Sequence, residues 1–339
     1  MSACAPEISV VVGVRDGGAE TLPSLDGVLT QEGVELELVV VDDGSIDETP
    51  EVLVGLARRD SRVRVIRQEA EGLTAALVRG CAAARGELIA RQDIGDASLP
   101  GRLAKQRDAL RRWPEVVLVS CWSECVGPAG ELIVLQRSPD STEGPRPILS
   151  SSTPLTVAAG PTSHGSAMFR RSAYEAAGGY RLEFGLGQDW DLWQRLGLSG
   201  SYCEIPELLY RRMLSPRSIS FAFHDAQIEI GRLSLAATRA RSAGGDETPV
   251  LHRARILSHR MNAERDRRRR AGIALGNYHL GEALRRRRDS RARAYLSAAI
   301  RARPIFPRAW VRWLQASVLL SGSTQTKSPG AVTDRAPTR

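Results

Sequence analysis

Residues 8–14 read ISVVVGV and residues 36–41 read LELVVV, and these two valine-rich runs decide the fold. Short runs dominated by valine are typical of strands that are buried on both faces of a parallel sheet. Two more strands are expected at Val63–Ile66 and Leu88–Arg91. Helices are predicted between the strands, at Asp47–Arg58 and Leu73–Ala84. This alternation predicts an α/β fold with a mostly parallel, Rossmann-like sheet flanked by helices, whose ligand crevice lies beyond the carboxyl ends of the strands.

The composition is that of a folded globular protein. The chain has 339 residues, of which 42% are hydrophobic and 25% are charged. It contains no apolar run near the roughly 20 residues that span a bilayer, and Met1–Glu7 lacks the features of a signal peptide. We therefore expect a cytoplasmic location. The five cysteines are scattered and odd in number, which favours free thiols over zinc ligands or disulfides.

The charge is unevenly distributed along the chain. Residues 251–313 hold 18 arginines against four acidic residues, whereas the rest of the chain has more acidic than basic residues. Such a contrast usually marks a domain boundary. We predict an α/β domain over residues 1–223, a basic all-α region over 224–320 and a disordered tail over 321–339. A loop rich in Pro, Ser, Thr and Gly is expected at 138–165.

Two acidic loops follow predicted strands. One is Asp42-Asp43-Gly44-Ser45 and the other is Gln92-Asp93-Ile94-Gly95-Asp96. Carboxylates at a strand end can accept hydrogen bonds from a ribose or a base, although Asp and Ser also make ordinary turns and helix caps. Because strand ends of one sheet lie together, the two clusters would concentrate negative charge, which a hard divalent ion bridging to phosphate oxygens would relieve.

Several segments resemble family 2 glycosyltransferases, which have the GT-A fold. These segments are ISVVVGVRD, VVVDDGSID, GLTAALVRGCAAARGELIARQDIGDASLPGRL, HGSAMFRRSAYEAAGGY and GQDWDLWQRL, which lie in this order between Ile8 and Ser220. The resemblance implies an enzyme that transfers a sugar from a nucleotide donor to an acceptor hydroxyl with inversion, commonly with Mg²⁺ or Mn²⁺. The donor would be a UDP-, GDP- or dTDP-sugar, and the acceptor a glycan or a lipid-linked glycan.

The resemblance assigns donor-binding roles to the first acidic loop. Asp16, Asp42 and Asp43 would surround the base and the ribose. Val78 stands where the family often has Asn, which leaves Arg79 as the candidate contact to phosphate or base. From the second loop, Gln92 and Asp93 are further donor-binding candidates.

The metal motif departs from the family pattern. The family usually has Asp-x-Asp-Asp after the fourth strand, and here Gly95 replaces the middle aspartate, so Asp93 and Asp96 are the remaining candidate ligands. Three alternatives follow: Asp96 or a water fills the gap, the enzyme depends weakly on metal, or activity has been lost. The last alternative corresponds to a non-catalytic nucleotide-sugar-binding or scaffold protein.

The segment Gln188-Asp189-Trp190-Asp191 corresponds to the family's Glu-Asp motif, whose aspartate is the general base. Asp189 is therefore the predicted base that removes the proton of the acceptor hydroxyl. An aspartate at a helix N-terminus is also a common cap. Gln188, Trp190 and His164 are predicted on the acceptor or donor side, with a purely structural role as the alternative for His164.

The basic C-terminal part contains a segment, Tyr278–Trp310, that weakly resembles a tetratricopeptide-type helical hairpin. A single repeat cannot bury its own apolar face, so it must pack on the first domain or on a partner. The arginine runs 267–270 and 285–288 either contact anionic lipid headgroups, placing the protein peripherally at the inner face of a membrane, or form a solvated surface. Nucleic acid is an unlikely partner, because no recognition motif appears.

Overall fold

A computed structural model describes residues 5–137, 147–149, 160–218, 221 and 223–321. Four parallel strands and the helices between them begin the chain. The strands are β1 (Ile8–Val14), β2 (Leu36–Asp43), β3 (Val63–Gln68) and β4 (Leu88–Arg91); the helices are α1 (Thr21–Leu29), α2 (Thr49–Arg59) and α3 (Leu73–Ala83). The four predicted strands are therefore confirmed, as are the helices after β2 and β3.

The second half of the sheet is mostly antiparallel. Its elements are β5 (Ala97–Ser98), α4 (Arg102–Arg112), β6 (Val116–Val126), β7 (Leu132–Gln136), β8 (Pro147–Leu149), β9 (Met168–Arg170), α5 (Arg171–Ala176), α6 (Gln188–Gly197) and β10 (Ser201–Met213). The strand order is β3-β2-β1-β4-β9-β6-β10-β5, with β7 beside β6 and β8 beside β10. Strand β9 runs antiparallel to both β4 and β6, whereas β6 and β10 are parallel.

The valine runs are buried on both faces of the sheet, as predicted. Val10 and Val12 of β1 belong to one apolar cluster, whereas Val11 between them belongs to another on the opposite face, and all three are fully buried. Strands β1 and β2 pair in parallel with Val14 opposite Asp42. Because β1, β2 and β4 point the same way, the residues that follow them meet at one edge of the sheet.

No element is predicted between Leu198 and Phe223, yet the structure has the 13-residue strand β10 there. Its sequence, SYCEIPELLYRRM, mixes apolar and charged residues, and its pairing with β6 contains register shifts. A periodic pattern is lost under such irregularity. Most of the predicted loop 138–165 lies outside the described residues, but within it Pro147–Leu149 forms β8. The predicted tail lies outside them from residue 322 onward.

In the part of the chain that the structure describes, the helices after the sheet include α7 (His224–Ser242), α8 (Thr248–Arg286), α9 (Ala292–Ala302) and α10 (Pro307–Ser321). The hairpin of α8 and α9 packs on the sheet rather than standing alone. Its residues Leu280, Leu284 and Ala292 share an apolar cluster with Cys125 of β6 and Ile133 of β7. Of the two alternatives for this region, the structure therefore has the hairpin packed on the first part of the chain.

No helix within the described part of the chain is long and apolar enough to cross a membrane. Cys81, Cys121, Cys125 and Cys203 are buried thiols, and none of them forms a disulfide in that part of the chain. Burial raises the pKa of Cys81 and of Cys121 to about 12, which makes both thiols poor nucleophiles.

Candidate active site

The loop after β2 is held by hydrogen bonds to its two aspartates. Asp43 is 4% exposed, and its Oδ1 accepts hydrogen bonds from the Gln68 side chain at 2.8 Å and from the backbone N–H groups of Glu71 and Gly72 at 2.8 and 3.0 Å. Asp42 is buried deeper and accepts the Ser45 N–H at 2.9 Å. Asp42 thus closes the turn, whereas Asp43 fixes the start of α3.

Asp16 joins this loop from the end of β1. Its φ of 51° is in the left-handed region, which Asp tolerates better than most residues. Its N–H donates to Ser45 Oγ at 2.9 Å, and its carboxylate accepts the Ile46 N–H at 2.9 Å. The structure therefore brings Asp16, Asp42 and Asp43 together, although they are up to 27 residues apart in the sequence.

A cavity of about 570 Å³ opens beside this loop. That volume is within the range of ordinary small-molecule sites. The sheet side of the cavity is formed by the end of β1, Asp43 and the first turn of α3; the opposite side comes from the segment before α6, from Phe223 and from α8. The residues that line the cavity include Gly13, Val14, Arg15, Asp43, Glu71, Gly72, Gln188, Phe223, Arg255, Ser258, His259, Met261 and Asn262.

Two of the predicted donor-binding residues are engaged in contacts of their own. Arg79 lies on α3 with its side chain 45% exposed and forms an ion pair with Glu71, which lines the cavity, at 3.5 Å. Gln92 is fully buried, and its amide donates to the backbone oxygen of Asp96 while its Oε1 accepts from Ser98. Gln92 therefore shapes the second acidic loop from inside and does not line the cavity.

The second acidic loop is organised around a buried arginine. Arg91 is fully buried, and its Nη2 donates to Asp93 Oδ1 at 2.7 Å. Arg91 also donates to the backbone oxygen of Val11 on the neighbouring strand. Burial alone would raise the pKa of Asp93, but the positive charge of Arg91 outweighs it and lowers that pKa below the ordinary range. Asp93 is therefore ionised at neutral pH.

Asp96 has the opposite electrostatic environment. It is 7% exposed, accepts the Tyr210 hydroxyl at 2.8 Å and accepts the Met213 N–H at 2.9 Å, so each of its oxygens has a protein donor. Burial, and then the negative charge of Asp93, raise its pKa to about 7. Asp96 consequently carries a proton in a large fraction of the molecules at neutral pH.

These residues do not fit a divalent ion held by the protein alone. Both oxygens of Asp96 are used, one oxygen of Asp93 is used, and Gly95 has no side chain to contribute. Gly95 has φ +89°, and a Cβ there would lie 2.8 Å from the Glu20 carboxylate. Within the described ranges, no group of three His, Cys, Asp or Glu side chains is placed to hold a metal.

His164 lies beside the second acidic loop in a polar and aromatic cluster. Its Nε2 is 2.7 Å from the Tyr180 hydroxyl and 3.4 Å from Arg91 Nε. Its ring also makes an edge contact with Trp193 at 5.7 Å. Burial, and then the charge of Arg91, lower the pKa of His164 to about 4, so the imidazole is neutral at pH 7. A neutral ring whose Nε2 accepts from Arg91 is suited to fixing that arginine.

The first turn of α6 carries two aspartates with different surroundings. Asp191 is fully buried and pairs with Arg195 at 2.6 Å and with Arg181, which makes it a structural residue. Asp189 is half-buried, and within the described residues no group donates a hydrogen bond to its carboxylate. Asp189 therefore keeps a carboxylate available to a ligand.

The neighbours of Asp189 divide between the cavity and the core. Gln188 lines the cavity. Trp193 is 2% exposed and packs in the apolar cluster with Phe169 and Leu192, so it is a core residue. Trp190 is half-buried against the same cluster, so one part of its ring remains accessible to a ligand.

Sequence reasoning missed several residues that shape the site. Arg91 and Tyr210 hold the second acidic loop, but Tyr210 comes from a strand 114 residues after Asp96. The contribution of α8 to the cavity was also missed, since that helix appeared only as part of a basic region. An arginine inside an apolar strand was the one visible signal, because a buried charge needs a partner.

The chain is similar to proteins of one known family. Residues 9–178 match the family described as Glycosyl transferase family 2. The chain is 31% identical over 195 residues to the putative glycosyltransferase EpsE of Bacillus subtilis (strain 168), covering 56% of this chain and 66% of EpsE. It is 37% identical over 101 residues to the succinoglycan biosynthesis protein ExoO of Rhizobium meliloti (strain 1021), covering 30% of this chain and 28% of ExoO. The matches thus span less than two thirds of the length of these relatives.

Solved structures share the fold over nearly the whole chain. S. aureus TarS 1–349 in complex with UDP-GlcNAc aligns with a TM-score of 0.55 at 14% identity, covering 93% of this chain and 91% of that chain. The mannosyltransferase PcManGT from Pyrobaculum calidifontis, in complex with GDP-Man and Mn²⁺, aligns with a TM-score of 0.51 at 18% identity, covering 95% and 89%. At such identities the likeness concerns the fold alone. Together with the family match over half of its residues, it confirms the predicted fold and family: this chain belongs to glycosyl transferase family 2.

Proposed function

We propose that this protein is an inverting glycosyltransferase in which Asp189 is the general base. The observation that carries the proposal is the contrast within the first turn of α6. Asp191 is paired with two arginines, whereas Asp189 follows the cavity residue Gln188, and no described group donates a hydrogen bond to its carboxylate. A base must reach the proton that it removes, and a carboxylate without hydrogen-bond donors next to a cavity residue is suited to that role.

The reaction is a single displacement. The acceptor hydroxyl oxygen forms a bond to the anomeric carbon, and the bond between that carbon and the phosphate oxygen breaks. The electron pair of the broken bond leaves with the nucleoside diphosphate, while the hydroxyl proton passes to Asp189. Because attack and departure occur on opposite faces of the sugar, the configuration at the anomeric carbon is inverted.

The donor occupies the cavity with its base and ribose near Asp16, Asp42 and Asp43. Support comes from the hydrogen bonds that fix this loop and from the position of Asp43 in the cavity wall. The diphosphate lies towards Asp93, with Arg79 as a further candidate contact. His164, Gln188 and Trp190 lie where donor sugar and acceptor would meet. The complexes of structurally similar proteins with UDP-GlcNAc and GDP-Man are consistent with a nucleotide-sugar donor.

Of the three alternatives for the metal motif, we favour weak dependence on Mg²⁺ or Mn²⁺. The support is the state of the second acidic loop: Arg91 neutralises Asp93, and Asp96 is held by Tyr210 and Met213. A divalent ion would add positive charge next to the donor's phosphates. Of the two aspartates of this loop, only Asp93 has an oxygen without a described donor, Oδ2, so the donor's own phosphates would have to supply most of the ion's ligands.

The acceptor is a growing glycan or a lipid-linked glycan, and the protein works in the cytoplasm at the inner face of a membrane. The naming of ExoO as a succinoglycan biosynthesis protein supports a polysaccharide pathway. Membrane contact is supported by α10, where Trp310, Val311 and Leu314 are 45, 51 and 56% exposed. Residues 290–321 hold six arginines and no acidic residue, which suits anionic headgroups.

The test combines calorimetry with a base variant. Wild type is titrated with UDP-, GDP- and dTDP-sugars, and the donor that binds is then used to measure transfer or donor hydrolysis. Asp189→Asn is expected to lower turnover at least about 1,000-fold, while the donor Kd changes less than threefold, because the amide keeps the shape and loses the base. Retained turnover in that variant would exclude Asp189 as the base. Donor binding without turnover in wild type would favour the non-catalytic alternative.

A further inference from the structure

One wall of the donor cavity belongs to a helix outside the part of the chain that matches the family. The family match ends at residue 178. Helix α8 nevertheless contributes five lining residues, which are Arg255, Ser258, His259, Met261 and Asn262. They face the end of β1, Asp43 and the first turn of α3 across the cavity. The donor site therefore contains residues that the family motifs do not include.

Helix α8 is held against the cavity by specific contacts. Ser258 is 6% exposed; its Oγ donates to the backbone oxygen of Glu183 at 2.9 Å and accepts the Gly185 N–H at 3.0 Å. The same segment is tied to the sheet side, because Thr74 Oγ1 of α3 donates to the Phe184 backbone oxygen at 2.9 Å. The segment 183–185 thus joins both walls, and α8 is a fixed part of the cavity.

The side chains that α8 offers to the cavity lie on one helix face. Arg255, His259 and Asn262 are separated by four and three residues, which puts them on adjacent turns of the same face. All three are exposed. Arg255 also donates from Nη2 to the Glu183 carboxylate at 2.9 Å, which leaves its other N–H groups for a ligand. Met261 and Phe223, which are 4 and 3% exposed, also line the cavity and give it an apolar floor. An apolar floor with an amide, an imidazole and a guanidinium above it suits a flat heterocycle with hydrogen-bonding edges.

The position of the α8 face in the cavity indicates which part of the donor it contacts. The cavity contains Arg15, Asp43 and Gly72, at the end where the proposed function puts base and ribose, whereas Asp93 and Asp96 are absent from its lining residues. We propose that the α8 face of Arg255, His259 and Asn262 contacts the nucleobase of the donor and determines which nucleotide is accepted. This inference rests on the proposed function, since it concerns the same donor.

The experiment measures nucleotide selectivity. Wild type and the variants Arg255→Ala, His259→Ala and Asn262→Ala are titrated with UDP, GDP and dTDP by calorimetry. We expect the Kd of the preferred nucleotide to rise about tenfold in at least one single variant and more in the triple variant. The ratio between the Kd values of the other nucleotides and that of the preferred one should fall by a similar factor, because contacts to a base edge discriminate between bases.

Matched controls come from the same helix. Arg260→Ala removes an arginine that pairs with Glu264 and points away from the cavity-facing residues. His252→Ala removes an exposed histidine two turns before His259, which is not a lining residue. Both controls should leave every Kd within twofold of wild type. Thermal unfolding of each variant identifies any loss of folding, and the selectivity ratio is unaffected by a smaller folded fraction.

Two results would overturn the inference while the proposed function stands. One is unchanged affinity and selectivity in the triple variant. The other is an equal loss of affinity for all three nucleotides with an unchanged selectivity ratio, which would assign the α8 face to the phosphates. If wild type bound none of the nucleotides or their sugars, the proposed function itself would fail, and the inference with it.

Discussion

The acidic loops after β2 and β4 look equivalent in the sequence, but their aspartates have different partners in the structure. Asp43 is satisfied by the Gln68 amide and by two backbone N–H groups, all of them neutral donors. In the loop after β4, Asp93 is paired with a guanidinium, and Asp96 has a pKa of about 7. The same residue type therefore ends both strands, but Asp43 is held by neutral donors, whereas Asp93 has a buried guanidinium partner. The arginine of the first loop, Arg67, lies 3.6 Å from Asp42 and is largely exposed.

The difference shows what an acidic motif does not specify. The number of aspartates says how many carboxyl groups a loop has, whereas their partners decide how many of them are charged. Those partners, Arg91 and Tyr210, lie in strands outside either loop. The predictions below test whether the two loops differ as described.

The largest effect is expected at Asp43. Replacing it with Ala leaves the Gln68 amide and the N–H groups of Glu71 and Gly72 without their acceptor, which should lower the free energy of unfolding by about 2–4 kcal/mol and weaken nucleotide binding. Urea unfolding and calorimetry measure the two effects. Asp43→Asn keeps one acceptor oxygen and should fall between wild type and Asp43→Ala. Equal stability of all three proteins would remove Asp43 as the organiser of the loop.

Replacing Asp96 with the neutral residue Asn is expected to change how the stability of the protein depends on pH. The folded pKa is raised from 3.8 to about 7, so the folded protein keeps a proton that the unfolded chain releases. Wild type therefore loses stability as the pH rises from about 4 through 7, and Asp96→Asn does not. The stability of the variant relative to wild type should increase by about 1 kcal/mol between pH 6 and pH 8 in urea unfolding. A pH-independent difference would contradict the raised pKa.

An effect of opposite sign is expected at His164, which faces Arg91, Asp93, Asp189 and Tyr180. Its pKa is lowered from 6.5 to about 4, so its contribution to stability is present above pH 6.5 and is lost as the pH falls towards 4. The unfolding temperature of wild type should therefore drop more between pH 7 and pH 5 than that of His164→Gln, which lacks the titrating ring. Parallel profiles in scanning calorimetry would show that the pKa of His164 is unshifted.

The smallest effect is expected from metal removal. Arg91 and the proton on Asp96 offset the negative charge of the second acidic loop. The donor Kd in EDTA should therefore differ less than threefold from the Kd in buffer with Mn²⁺. Calorimetric titration of the wild-type protein with the donor in each of the two buffers measures this change in Kd. A change of a hundredfold or more would show that Asp93 and the donor together recruit an ion, and the two loops would then differ less than proposed.

Much of the fold was predictable because its strands are short apolar runs. Val10, Val11 and Val12 are all fully buried, and such runs stand out in a sequence. Strand β10 was not predictable, since it is half covered and carries Glu204, Glu207 and Arg211 among its apolar residues.

Sequence motifs also assigned Asp16, Asp43 and Asp189 to one site, but they did not identify the partners of these residues. Asp189 and Asp191 are two residues apart in one helical turn, and only the positions of Arg181 and Arg195 identify Asp191 as the buried structural residue. Contacts of this kind join residues that are far apart in sequence, or whose side chains face one another only after folding. The spacing of the motif contains no information about them.

Helix α8 has 39 residues, which at 1.5 Å per residue gives a length of about 58 Å. Its early turns line the donor cavity, and its last turns pack on β6 and β7. A chimera that exchanges residues 1–223 between two relatives would therefore transplant the aspartates and leave behind one wall of the cavity. In such a chimera, the segment taken from one parent must therefore extend at least to Asn262, well past the last family motif.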